Sequence, residues 1–120
     1  MARITIRIDF DNGQHVGHGK IKLLELIAEY GSISKAARQM DMSYRRAWLL
    51  ADAMNTMFDK PVLETQHGGA GGGHARLTSF GHALVGHYRS IEAHNRSAFA
   101  KLLSTLDGDV KTRRPAARVQ

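Results

Sequence analysis

The sequence predicts a mainly helical fold with a small β-sheet. Apolar residues recur at three- and four-residue steps along most of the chain, which is the period of an amphipathic helix. The first residues instead alternate between apolar and polar side chains, as in a half-buried strand. Two short apolar runs flank a glycine-rich stretch near the middle, a pattern typical of a β-hairpin. For 120 residues we expect one domain over residues 1–107 and a tail over residues 108–120.

The N-terminal part predicts a strand followed by a helix. Residues 3–10 place four apolar side chains on one face of a strand: Ile4, Ile6, Ile8 and Phe10. Residues 11–14 have the composition of a turn, and residues 15–19 are expected to continue as a loop. Residues 20–30 have helical apolar spacing. Gly31 then supplies the left-handed residue that often ends a helix.

Two short helices joined by a tight turn are predicted next. Either Ser32 or Ser34 can cap the first, and small buried side chains let it cross closely over a neighbour. Ser43 caps the second helix, which ends before Lys60 because the residue preceding a proline is biased away from helix. The expected inward-facing residues of the two helices are Ala36, Ala37, Met40, Ala47, Leu50, Ala51 and Met54.

A hairpin and a long helix follow this pair. Residues 62–66 and 75–77 predict two strands around the glycine loop, and a hairpin in this place is the wing of a winged helix-turn-helix domain. Thr78 caps a helix predicted over residues 78–106, which is long for a domain of this size. We expect it to reach beyond its own core and to pair with a second copy of the chain, although it could also fold back over the first strand.

The net charge of +6 is concentrated in two places. Residues 31–51 carry four cations against one carboxylate, and residues 108–120 carry the same excess. A localised basic patch suits a polyanion such as DNA, but an ordinary solvated helix face has the same composition. The tail has little apolar content, and we expect it to be disordered and to act as a basic arm near phosphates.

Composition also excludes several classes of protein. The absence of cysteine rules out disulfides, thiolate metal sites and a cysteine nucleophile, and it fits a cytoplasmic location. No apolar run approaches the roughly 20 residues that span a bilayer, so no membrane partner is expected. The candidate serine nucleophiles are already explained as helix caps, and the sequence predicts no enzyme and no cofactor.

The start of the third helix carries the candidate DNA-reading side chains. A helix whose first turn presents hydrogen-bonding and cationic groups can enter the major groove and contact base edges. Arg45 and Arg46 are about 100° apart on a helix, so we expect one to face bases and the other phosphate. Tyr44 can bond a phosphate or buttress the preceding helix, whereas Trp48 is expected to pack.

Four short motifs, at residues 31–38, 42–48, 64–65 and 75–81, occur in an order found in a known family. Together they resemble the DNA-binding domain of the molybdate-responsive ModE regulators and, more distantly, the helix-turn-helix of LysR-type regulators. The resemblance implies a homodimer on double-stranded DNA, with two recognition helices in successive major grooves of a palindromic operator. The residues that it assigns to DNA contact are Ser43, Tyr44, Arg45 and Arg46 in the recognition helix, Ser32, Ser34 and Lys35 in the preceding helix, and Arg76 in the wing.

The sequence departs from the resemblance in one respect. Full-length ModE proteins carry C-terminal domains that hold molybdate or tungstate, and this sequence stops soon after the long helix. The sequence is then either a DNA-binding fragment or a stand-alone protein that senses something differently or not at all, which puts molybdate binding in doubt. We expect a regulator that controls molybdate- or oxyanion-related genes through DNA. Two alternatives stay open: a metal- or oxyanion-responsive sensor built on histidines, and an architectural DNA-binding protein with little sequence preference.

Seven histidines support the sensor alternative. His67 and His74 bracket the glycine loop, and His87 and His94 lie one heptad apart on the long helix. Helical metal ligands usually stand four residues apart, a spacing that these pairs lack. The sequence therefore predicts no metal site within one chain.

Overall fold

The computed structural model of the protein describes residues 1–66 and 73–111. Within these ranges it contains two small antiparallel hairpins and five helices, and the mainly helical fold class is confirmed. The elements are β1 (Arg7–Asp9), β2 (His15–Gly17), α1 (His18–Tyr30), α2 (Ile33–Gln39), α3 (Tyr44–Met57), β3 (Leu63–Gln66), β4 (His74–Leu77), α4 (Ser79–Ala98) and α5 (Ala100–Asp109). The tip of the predicted glycine loop and the predicted tail beyond residue 111 lie outside the described residues. No helix in the described ranges is long and apolar enough to cross a bilayer.

The first hairpin differs from the sequence-based expectation. The apolar alternation over residues 3–10 is confirmed, but only Arg7–Asp9 pairs as a strand, with Ile8 opposite Val16. The predicted loop at residues 15–19 is wrong, because His15–Gly17 is the partner strand and α1 begins at His18. A strand of three residues with one buried side chain is too short to show a period, and it exists only through its pairing with β1.

The core lies between the first three helices and the two hairpins. Helix α1 contributes five buried residues: Ile21, Leu23, Leu24, Leu26 and Ile27. Ala36 and Ala37 are fully buried on α2, which packs against α1 and α3 and confirms the role predicted for small side chains. The buried face of α3 consists of Ala47, Ala51, Met54 and Met57.

The helix ends follow local sequence signals. Gly31 has a φ of 68° at the end of α1, in the left-handed region that glycine tolerates. Of the two candidate caps for α2, Ser32 is the one used, since its Oγ accepts a hydrogen bond from the Lys35 N–H at 3.1 Å. Ser43 caps α3 in the same way, with its Oγ 3.1 Å from the Arg46 nitrogen.

The long helix predicted over residues 78–106 is two helices. Thr78 caps α4 as expected, but the helix stops at Ala98, and α5 begins at Ala100 and extends to Asp109, into the segment expected to be tail. Phe99 joins them with a φ of −111° and a ψ of 14°. Asn95 and Ser97 precede this joint, and both residue types are weak helix formers because their side chains compete for backbone hydrogen bonds. The Asn95 amide does so, donating to the Ile91 carbonyl oxygen at 2.8 Å.

A charged cluster holds α4 against α1. Two guanidinium nitrogens of Arg89 donate to the two carboxylate oxygens of Glu25, at 2.8 and 3.0 Å, and a third donates to Glu92 at 2.8 Å. The hydrogen bonds from Arg89 lower the pKa of Glu25, and the same bonds raise the pKa of Arg89. Nearby, the Tyr88 hydroxyl donates to the Ile6 carbonyl oxygen at 2.7 Å. Helix α4 is therefore anchored to both α1 and the N-terminal segment.

Candidate nucleic-acid interface

Helix α3 divides into three faces around its buried stripe. Tyr44 and Trp48 lie one turn apart on the face next to the wing, where they line a groove with residues of β3 and β4. Arg46 and Leu50 lie on the opposite side, next to the N-terminal hairpin. Arg45 is rotated by about 100° around the helix axis from Tyr44 and from Arg46. The helical period therefore places Arg45 at the centre of the exposed face, opposite the buried stripe.

The outward face also contains an exposed apolar residue, which no motif in the sequence marked. Leu49 follows Arg45 by one turn and is 50% exposed. Trp48, which was expected to pack, is 39% exposed and only partly covered by the groove. Helical spacing could have identified Trp48 and Leu49 as part of the candidate interface. Each lies four residues after a predicted contact residue, Tyr44 or Arg45, and therefore shares its face of the helix.

The groove beside the wing collects part of the predicted contact set. Ser32, Ser34 and Tyr44 all line it, so the start of α2, the start of α3 and the wing meet there. Lys35 is exposed on α2 outside this groove. The Oγ atoms of Ser32 and Ser43 already accept backbone N–H groups as helix caps, which leaves their hydroxyl hydrogens to donate.

The wing is joined to the two-helix unit by backbone and side-chain hydrogen bonds. The Ala75 N–H on β4 donates to the carbonyl oxygen of Gly31, the residue that ends α1, at 2.9 Å. On the other strand, the Asn55 side chain of α3 bonds the backbone of Val62 and Leu63. Because the same wing is attached to α1 and to α3, its position beside the start of α3 is defined.

Arg76 lies on the wing, as predicted, but it has a partner within the chain. In the β3–β4 ladder Glu64 is opposite Arg76, and the Arg76 Nε lies 3.1 Å from a Glu64 carboxylate oxygen. The two side chains are 81% and 56% exposed, so the ion pair contributes little to stability. Its geometry leaves most of the guanidinium in solvent, and Arg76 is not among the residues that line the groove beside Tyr44.

The histidines of the sensor alternative do not gather in the part of the chain that the structure covers. Across residues 1–66 and 73–111 no three histidine, aspartate or glutamate side chains lie close enough together to hold a metal ion. His87 and His94 face one shallow pocket on α4, with Ile91 between them. His67 lies outside the described residues.

The comparisons with known proteins agree with this geometry. No family model matches the chain. Over 115 residues, 92% of the chain, it is 35% identical to the molybdenum transport protein ModE of Azotobacter vinelandii. Over 98 residues, 82% of the chain, it is 38% identical to the DNA-binding transcriptional dual regulator ModE of Escherichia coli K12. The chain is homologous to the N-terminal region of ModE.

The chain spans only part of the ModE relatives, 42% of the A. vinelandii protein and 37% of the E. coli protein. It is also 40% identical over 95 residues to the molybdenum-pterin-binding protein MopA of Rhodobacter capsulatus, of which it spans 34%. By name these relatives are transcriptional regulators and molybdenum transport or binding proteins, and none of these names describes an enzyme, in agreement with the prediction that the chain is not an enzyme.

Solved structures place the fold of this ModE-like chain among DNA-binding domains. The DNA-binding domain of CbnR, solved in complex with DNA, matches 72% of the chain and 95% of its own length, with a TM-score of 0.56 and 25% identity. Full-length CbnR with its target DNA matches 69% of the chain with a TM-score of 0.52. The predicted winged helix-turn-helix architecture and its likeness to LysR-type domains are therefore confirmed.

Proposed function

We propose that the protein is a ModE-type transcriptional regulator that reads double-stranded operator DNA with α3. The observation that carries the proposal is the first turn of α3, where Arg45 and Arg46 are both exposed and Tyr44 lines the groove beside the wing. Neither arginine forms an ion pair with any residue in the described ranges. Two uncompensated cations on a helix N-terminal turn match the chemistry of guanine edges and phosphates.

The three faces of α3 suggest a division of labour. Arg45, at the centre of the exposed face, is placed to reach base edges as a bidentate donor to guanine. Arg46 and Tyr44, on the two sides of the helix, are placed to contact the phosphates that border the groove. The remaining predicted contact residues are assigned to the phosphate backbone of the DNA: Ser32, Ser34, Lys35, Ser43 and Arg76.

The last two helices support a homodimer. Exposed apolar side chains lie along α4, α5 and the residues that flank α5: Ile91, then Phe99, Leu102, Leu106 and Val110, the last four at three- and four-residue steps. Such a ridge costs free energy in water and is stabilised by a second copy of itself, which is the usual arrangement of a symmetric dimer. Two recognition helices would then occupy half-sites about one helical turn, roughly 34 Å, apart on a palindromic operator.

The regulated genes are inferred from the relatives. Proteins named for molybdenum transport and for ModE regulation share most of this chain's length, so we propose that it acts on genes of molybdate or oxyanion handling. We accordingly propose a cytoplasmic location, where the DNA is. The sensor alternative rests on His87 and His94, which share the proposed dimer face. Equilibrium dialysis against zinc, nickel, molybdate and tungstate separates it from a regulator that responds to none of them.

The central experiment is a gel shift with the promoter of a molybdate transporter and with the protein's own promoter. The double variant Arg45→Ala/Arg46→Ala should abolish specific binding, because it removes both the base reader and a phosphate contact. Lys22→Ala removes another exposed charge, from α1, and should leave specific binding intact. Unchanged affinity of the double variant would refute the assignment of α3. Equal affinity for promoter and random competitor would favour the architectural alternative.

A further inference from the structure

A basic cleft lies on the side of α3 that faces away from the wing. It is formed where the N-terminal hairpin and the start of α1 approach the turn between α2 and α3, and it encloses about 450 Å³. We call it the hairpin cleft. The basic residues that line it are Arg7, His15, His18, Lys20 and Arg46.

The charge of the hairpin cleft is one-sided. None of its lining residues, all within the described ranges, is an aspartate or a glutamate. Asp9 pairs with Arg7 at 3.0 Å, but both side chains are more than 60% exposed, so this ion pair is weak and can yield to another anion. The Lys20 ammonium is held in place by a 2.8 Å hydrogen bond to the His15 carbonyl oxygen. The start of α1 carries no acidic residue that would neutralise it.

Arg46 connects the hairpin cleft to the DNA-reading helix. It lines the cleft from α3 and follows Arg45, the residue at the centre of the exposed face. DNA seated against that face would run towards the wing on one side and towards the hairpin on the other. The hairpin thus occupies, across α3, a position equivalent to that of the wing.

We propose that the hairpin cleft binds the phosphate backbone that flanks the half-site on the side opposite the wing. This rests on the proposed DNA-binding function and extends its footprint to Lys20 and Arg7, which no prediction from the sequence included. The cations of the cleft are spread over two separate parts of the chain, and Arg7 and Arg46 are exposed to solvent. Salt screens the attraction between such exposed charges and a single small anion, so a small anion would bind weakly here. DNA instead releases a condensed counterion for each phosphate that a cation neutralises, so each cation of the cleft adds to its affinity.

The test compares Lys20→Gln with Lys22→Gln in the otherwise unchanged chain. Both variants remove one positive charge from the first turns of α1, but only Lys20 lines the hairpin cleft. The logarithm of the DNA dissociation constant is measured against the logarithm of salt concentration. The slope should fall by about 0.9 for Lys20→Gln, the value for one lost phosphate contact, and stay unchanged for Lys22→Gln. Adding Arg7→Gln to Lys20→Gln should lower it by about the same amount again.

A second readout locates the contact. Ethylation of individual phosphates should interfere with binding at a cluster flanking the half-site, and this cluster should disappear for Lys20→Gln and persist for Lys22→Gln. Equal slopes and equal ethylation patterns in the two variants, with thermal melting showing both folded, would overturn the proposal. So would perturbation of the His15 and His18 NMR signals by free phosphate or molybdate but not by DNA, because the cleft would then be a small-oxyanion site. Wild-type protein that binds no promoter would instead refute the proposed function itself.

Discussion

The Asn55 side chain on α3 bonds the wing at Leu63 in both directions. Its Oδ1 accepts the Leu63 N–H at 3.0 Å, and its Nδ2 donates to the Leu63 carbonyl oxygen at 3.2 Å. The same Oδ1 accepts the Val62 N–H at 2.8 Å. One side-chain amide of α3 therefore pairs with three backbone groups at the start of β3, and these bonds fix the start of the wing relative to α3.

We expect Asn55→Ala to lower the free energy of unfolding by roughly 2–3 kcal/mol, because it leaves partly buried backbone donors without partners. Urea denaturation measures this loss. Thr56→Ala, an exposed neighbour whose hydroxyl bonds only the Ala53 carbonyl of its own helix, should cost less than about 0.5 kcal/mol. If the wing position matters for DNA contact, affinity for the operator should fall more in Asn55→Ala than in Thr56→Ala. Similar stability for the two variants would contradict the role given to Asn55.

Gly81 is where α4 packs directly on the backbone that precedes β3. A Cβ at this position would overlap the Val62 carbonyl oxygen and lie 3.2 Å from the Leu77 Cβ. Gly81→Ala should therefore destabilise the fold by about 1–3 kcal/mol, as overpacking of a core does.

Gly86 offers a control on the same helix, since a Cβ there would meet nothing within 4 Å. Gly86→Ala should raise stability by about 0.5–1 kcal/mol, because alanine loses less backbone entropy than glycine in a helix. Thermal denaturation of the two variants measures both effects. A stabilised or unchanged Gly81→Ala variant would show that α4 does not approach Val62 so closely.

The Glu25–Arg89 pair makes stability depend on pH. The hydrogen bonds from Arg89 lower the pKa of Glu25 in the folded chain below its ordinary value of 4.5. The stabilisation is therefore fully present above pH 4.5 and is lost as the pH falls through the lowered folded-state pKa. Glu25→Gln should lower stability by about 1–2 kcal/mol at pH 7, and its denaturation profile should fall less steeply below pH 4.5 than that of the wild type.

Glu29→Gln is the matched control for this pH dependence, because Glu29 is exposed one turn further along α1. Its stability between pH 7 and pH 3 should follow the wild-type curve. Urea denaturation at several pH values gives the comparison. Parallel profiles for the wild type and Glu25→Gln would show that the bidentate ion pair has no preference for the ionised carboxylate.

The apolar ridge of α5 predicts a dimer that charge can dissociate. Leu102 and Leu106 are 63% and 60% exposed one turn apart. Leu102→Glu/Leu106→Glu should produce a monomer in sedimentation experiments, because burying two unpaired carboxylates in an interface costs several kcal/mol. Ser104→Glu places a charge away from the ridge on the same helix and should leave the dimer intact. If the double variant sediments as the wild type does, the ridge is not the dimer interface.

Local signals in the sequence were enough for the helix boundaries that position the site. Ser43 and Thr78 cap helices as predicted, and Gly31 ends α1, because each acts through bonds to residues three or four positions away. The apolar period also gave Ala47, Ala51 and Met54 of the buried stripe of α3, whereas Leu50, which was expected to face inward, is half-buried on the side of the N-terminal hairpin. Together these placed the start of the recognition helix at the correct residue.

Features that depend on distant partners were not predictable in the same way. Strand β2 exists because Val16 pairs with Ile8, and the hairpin cleft exists because Lys20 and Arg46 are brought together by the packing of α1 against α2 and α3. The joint at Phe99 was missed because residues at helical spacing continue across it, from Ile91 and Asn95 through Ala98 to Leu102. That Arg46 lies beside the N-terminal hairpin, and Tyr44 beside the wing, required the observed packing around α3.

The hydrogen bond from Ala75 to Gly31 has a thermodynamic consequence. Together with the Asn55 bonds, it makes α2, α3 and the base of the wing a single unit, so the geometry of the proposed DNA-binding surface exists before any DNA arrives. No folding of these elements is then needed on association. Calorimetry of operator binding should therefore give the small negative heat-capacity change expected from the apolar area buried at the contact surface alone. Ordering of a disordered segment on binding would give a much larger negative value.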